Sequence, residues 1–139
     1  MTRRRCAVGS DDGSVLLEVV VLGVGLLIPL LYGAISIMDV EAARFAATSA
    51  AREAARAYVN APTVSQARSN ALMATRLVLQ DAHRSPVKPQ IACVGGCLVP
   101  LSHVNVTVSI PVSLPLVGLS AFSVSATESM PVDRFRDMP

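Results

Sequence analysis

The chain has 139 residues, 52% of them hydrophobic, and a formal charge of +2 from 12 basic and 10 acidic residues. That length supports one small domain, whose core does not absorb so large an apolar share, so something besides a core must cover the excess. Basic residues cluster only at Arg3, Arg4 and Arg5, and aromatics make up 4% with no Trp, which argues against a nucleic-acid reader and leaves little material for stacking on bases or sugars.

The apolar excess is concentrated in Val15 to Met38, VLLEVVVLGVGLLIPLLYGAISIM. At a helical rise of ~1.5 Å per residue this run spans ~36 Å, enough to cross a bilayer core of ~30 Å. Its one charge is Glu18, close to its start. Arg3, Arg4 and Arg5 precede it, while Asp39, Glu41 and Arg44 follow, so the positive-inside bias puts the N-terminus in the cytoplasm and the remainder outside. Gly23, Gly25, Pro29 and Gly33 are tolerated in lipid, although Pro29 removes a backbone bond and predicts a bend or loosening there. A cleaved secretory signal would need a shorter apolar region, and the nearest cut, after Ala34, puts Tyr32 where a small residue belongs. A lipoprotein box is also missing, since three arginines precede Cys6.

At the front of the span, Asp11-Asp12-Gly13-Ser14-Val15-Leu16-Leu17-Glu18 places a Gly just ahead of the apolar helix, with a Glu five residues after it. Taken singly, Gly13 suits a turn, and Glu18 suits a helix N-terminus where the macrodipole favours an anion. As a pair they resemble the prepilin peptidase site of type IV pilins and their relatives. The resemblance implies an aspartyl peptidase cutting between Gly13 and Ser14 at the cytoplasmic face. It also implies that Glu18, fifth in the mature chain, helps place the subunit in a growing filament. With Ala50-Ala51-Arg52-Glu53-Ala54-Ala55-Arg56-Ala57 included, residues 11 to 58 are similar to TadE-like minor pilins of the tight-adherence (Flp-type, type IV-related) pilus system. The Asp11-Asp12 pair departs from family leaders, which usually carry a basic residue close to the Gly.

After the span no Gly or Pro intervenes before Pro62, so the helix is expected to continue from Asp39 to about Val59. Ala43, Ala47, Ala50, Ala54 and Ala57 form a seam of small side chains, open to a partner subunit or to this chain's next helix. Glu41 with Arg44, and Glu53 with Arg56, have the spacing of exposed helix pairs. Asn60-Ala61-Pro62 breaks the helix. Thr63 and Gln66 have the spacing of a capping box, starting a second helix that ends near His83 and carries Val64, Ala67, Ala71, Ala74 and Val78 on one face. Ser85-Pro86 and Pro89 lead to strand-like sequence. Val104, Val106, Val108, Ile110 and Val112 alternate with polar residues, a half-buried strand in which Pro111 signals an edge or an end. A further strand over Phe122, Val124 and Ala126 completes a small antiparallel sheet, and Asp133 to Pro139 reads as a polar tail that frays.

Cys93-Val94-Gly95-Gly96-Cys97 encloses two glycines able to turn tightly, so a disulfide closing a small loop fits an oxidising exterior. Zinc is the competing reading, with only His83 and His103 to complete it and neither in paired spacing. Cys6 stays in the cytoplasm or leaves with the leader. The acids after the span are scattered, with no Ser-His-Asp arrangement and no phosphate-cradling Gly loop.

The expected fold is therefore α+β, membrane-anchored and pilin-like: a long N-terminal transmembrane-plus-extension helix, a second helix and a small C-terminal antiparallel β-sheet. The expected segments are a cytoplasmic leader (1–13), a transmembrane helix (14–38), a helix extension (39–60) and an extracytoplasmic helix and β-rich region (61–139). The expected role is that of a minor pilin-like subunit or assembly component, not an enzyme, with no cofactor, metal or small-molecule substrate. Its expected partners are the membrane, a prepilin peptidase, and other pilins or pilus assembly proteins, and its place is the cell membrane and then the pilus. The alternative is a permanently anchored extracytoplasmic interaction module.

Overall fold

The computed structural model describes residues 12–114 and 119–135, so leader residues 1–11 and the last four residues of the expected tail lie outside the described part. In chain order the elements are α1 (Asp12–Val59), α2 (Val64–Asp81), β1 (Gln90–Val94), β2 (His103–Leu114) and β3 (Leu119–Pro131). The strands form one antiparallel sheet in the order β1-β2-β3. This is the α+β layout expected from the sequence. The chain divides into two units, Met1–Ile37 and Met38–Pro139.

In the first unit α1 is apolar all round, and every residue from Val15 to Leu31 is exposed. Leu16 is 70% accessible and Leu22 65%. Among the described residues α1 is the one helix long and apolar enough to cross a membrane. It continues through Pro29. Among the described residues a side chain added at Gly23, Gly25 or Gly33 would meet nothing within 4 Å. The Ser36 hydroxyl donates to the Tyr32 carbonyl at 2.9 Å, one turn back along the helix.

The second unit is built on the alanine face of α1. Ala43, Ala47, Ala50 and Ala54 are fully buried, Ala57 is half-buried, and Ala46, Ala51, Ala55 and Tyr58 widen the stripe. Of the two partners open to the seam, the chain's own sheet and α2 cover it. Ala43 to Ala51 pack with Leu79, Val108, Ile110, Val112 and Val124. Ala54, Ala55, Tyr58 and Ala61 pack with Ala67, Ala71, Val104, Val106 and Val132. The short side chains permit the close approach, while the sheet and Leu79 supply most of the apolar area.

Helix α2 starts at the expected N-cap, with one of the two bonds of a capping box in place. Thr63 is the N-cap, Gln66 N–H donates to Thr63 Oγ1 at 3.3 Å, and that hydroxyl reaches Gln66 Oε1 at 3.3 Å. Its buried stripe differs from the expected one. Ala67 and Ala71 are buried as expected, but the stripe continues through Thr75 and Leu79, whereas Ala74 and Val78 are half-buried. Thr75 is tolerated there because its hydroxyl donates to the Ala71 carbonyl at 2.9 Å. The helix ends at Asp81, just short of the expected His83. His83 takes a left-handed φ of 53°, His83 N–H bonds Gln80 O at 3.0 Å, and Arg84 N–H bonds Leu79 O at 2.8 Å. These are the two bonds of a Schellman cap. Arg84 then donates to Asp39 on α1, at 2.6 Å to Oδ1 and 3.1 Å to the carbonyl. The two expected helix pairs form as well, Glu41–Arg44 at 3.3 Å and Glu53–Arg56 at 3.7 Å, both exposed.

In β2 the expected alternation holds, with Val104, Val106, Val108, Ile110 and Val112 buried. The strand passes through Pro111 and ends at Leu114. Because β1 pairs only with His103 to Thr107, no ladder bond to β1 is broken at Pro111. On the outer face Thr107 bonds Thr127 at 2.8 Å and Ser109 bonds Ser125 at 2.9 Å, cross-strand pairs that reinforce the register.

Leucine in place of Ala47 should force the sheet away from α1 and destabilise the second unit by about 1–3 kcal/mol. The same change at half-buried Ala57 should cost less. Thermal unfolding of the full chain in detergent, with amide protection of β2 as the readout, checks the ranking.

Candidate functional site

Two places in the chain carry candidate chemistry. The first is the start of α1. Gly13 and Ser14 lie in α1, among its first described residues. Glu18 is exposed and, among the described residues, makes no ion pair. Asp11 and the three arginines lie outside the described residues.

The second place is the β1–β2 connection. Cys93 and Cys97 are joined in a disulfide, with Cα atoms 5.2 Å apart. Between them Gly95 and Gly96 adopt φ of 84° and 113°, and a Cβ on Gly96 would lie 2.7 Å from Val99 Cγ2. Glycine is therefore required at Gly96 on both counts. Leu98 and Leu101 also take left-handed φ, 62° and 66°, and nothing in the sequence signals this for leucine. The loop is tied down on two sides. Tyr58 Oη contacts Cys93 Sγ at 3.8 Å, and Val132 N–H donates to the Ser102 carbonyl at 2.8 Å. Among the described residues the buried Ser102 hydroxyl has no hydrogen-bond partner. As for metal, the described residues contain no group of three or more potential ligands, and the two cysteines are committed to each other. His83 is the helix-end residue described above, and His103 pairs with Val94 and Pro131 in the sheet.

The sequence reading singled out Gly13, Ser14, Glu18, Cys93 and Cys97. It missed the Asp39–Arg84 bond, which joins positions far apart in the chain, and the Arg52–Glu128 pair at 3.7 Å. Compared with protein-family models, curated proteins and solved structures, the chain matches none.

Alkylation of membrane-extracted protein under non-reducing conditions should leave Cys93 and Cys97 unmodified. Reduction should then lower stability by about 2 kcal/mol or less, as the shortness of the closed loop limits the entropic contribution. Free thiols before reduction would contradict the pairing.

Proposed function

We propose that this chain is a minor pilin-like subunit or assembly component of a tight-adherence, type IV-related pilus, inserted by α1 and cut by a prepilin peptidase between Gly13 and Ser14. The observation that supports this reading best is Glu18, a lone carboxylate among side chains from Val15 to Leu31 that are all exposed among the described residues. Such a helix needs lipid or other helices around it.

In a bilayer Glu18 lies only ~6 Å along the helix from Ser14, close enough to the headgroup layer for its carboxylate to stay hydrated. When apolar helices of neighbouring subunits replace lipid, the hydration is lost, and an unpaired buried carboxylate is strongly unfavourable. Cleavage after Gly13 creates a partner. The new amine of Ser14 on an adjacent subunit, methylated or not, stays protonated and neutralises Glu18, which fixes the axial register between subunits. The role of Glu18 is therefore in assembly, after insertion.

An intact-mass measurement on membrane-extracted protein tests the processing step, and the content of the protein in sheared pili tests the assembly role. In cells holding a prepilin peptidase the mature chain should begin at Ser14. Glu18→Ala should be inserted and cut nearly as wild type, while its content in sheared pili falls. A chain retaining residues 1–13 would contradict the processing step, and wild-type incorporation of processed Glu18→Ala would contradict the assembly role.

A further inference from the structure

The unit Met38–Pro139 carries an apolar knob and an apolar groove at different levels along α1. The knob is the β1–β2 loop. Leu101 is 72% exposed in a left-handed conformation, flanked by exposed Val94 and Val99, with Phe135 just beyond β3 at the same sheet end. The Arg134 guanidinium sits 5.1 Å from the Phe135 ring centre. Leu98 shares the backbone strain but packs into the core. Leu101 does not, so folding gains neither from its side chain nor from its φ, where glycine is easier. Leu101 N–H to Val132 O, 3.3 Å, and Ser102 N–H to Val99 O, 3.0 Å, hold the loop in this shape. A rigid, exposed apolar side chain held at a conformational cost is the form that a binding anchor takes.

The groove lies between α1 and α2. It is shallow and open, and Ala42, Phe45, Ala46, Val78 and Asp81 line it. Phe45 is 80% exposed. Among the described residues Asp81 makes no ion pair. The loop abuts Tyr58, and α1 rises ~20 Å between Phe45 and Tyr58.

We propose that the Leu101 loop of one copy seats in the Phe45 groove of a second copy, with Arg134 meeting Asp81. The fit is apolar against apolar, with one complementary charge pair at the edge. The contact joins different surfaces, so it propagates from copy to copy instead of closing on itself as a two-fold dimer does. Copies side by side in register do not make it; a stagger of ~20 Å along α1 brings knob to groove. This deepens the filament reading and rests on it for its biological setting, but the contact itself needs no leader cleavage.

The test uses purified full-length chain in detergent, mixed as isotopically light and heavy copies, with photo-reactive benzoylphenylalanine in place of Val99. Mixed-mass crosslinks are expected to map to peptides containing residues 42–49 or 78–82. Leu101→Gly should reduce them about tenfold while leaving the thermal midpoint unchanged or higher, since glycine accepts the loop conformation. Arg134→Asp should also weaken them, and adding Asp81→Arg should restore them. Absence of mixed-mass crosslinks, or their mapping elsewhere on the second copy, would overturn the contact. So would a Leu101→Gly chain that loses crosslinks and thermal stability together, or no rescue by the charge exchange. An uncut Gly13 in cells would sink the pilin reading and leave this result standing.

Discussion

The alanine face of α1 is the constraint on which the second unit depends. From Ala43 to Ala61 the buried positions are alanine except Tyr58. Methyl groups contribute little area each, so their value is geometric: they let the valine rows of β2 and the Ala67–Leu79 stripe of α2 reach one shared helix surface. The same helix changes character toward its N-terminus, where the residues from Val15 to Leu31 are mostly bulky aliphatics and, among the described residues, exposed. One element therefore serves two surroundings. Its C-terminal part is the scaffold of the second unit, and its N-terminal part is long and apolar enough to cross a membrane.

What the sequence made legible follows from local rules. The length of α1, the Thr63–Gln66 cap and the alternation of β2 are each set by residues within a few positions of one another. The inward face of α2 was misjudged at Thr75 because a hydroxyl counts as polar, yet in a helix it bonds the preceding turn and buries at little cost. The extent of β1 was hidden, since only Gln90 to Val94 pair and prolines and glycines crowd both ends. Nor was the Asp39–Arg84 bond legible, for no local pattern links those positions. The leucines at left-handed φ run against propensity, which expects Gly or Asn there. Conflicts of that kind collect where the fold serves something other than its own stability.

The candidate site divides the same way. Gly13, Ser14 and Glu18 were evident from spacing beside an apolar run. The structure adds that Glu18 is exposed on α1 and, among the described residues, without an ion pair. The cysteine loop was evident as a turn between strands. Its bracing by Tyr58 and Val132 was not, because both contacts join segments distant in sequence.

The proposed function requires α1 to span a membrane at residues 14–38 with everything beyond it outside the cytoplasm. Its most direct test is protease accessibility on spheroplasts of cells without a prepilin peptidase, carrying one epitope ahead of Met1 and another after Pro139. Added protease should remove the C-terminal epitope, leave the N-terminal one until detergent is added, and find the chain resistant to extraction by alkaline carbonate. A protected C-terminal epitope, or release of the chain by carbonate, would contradict the claim.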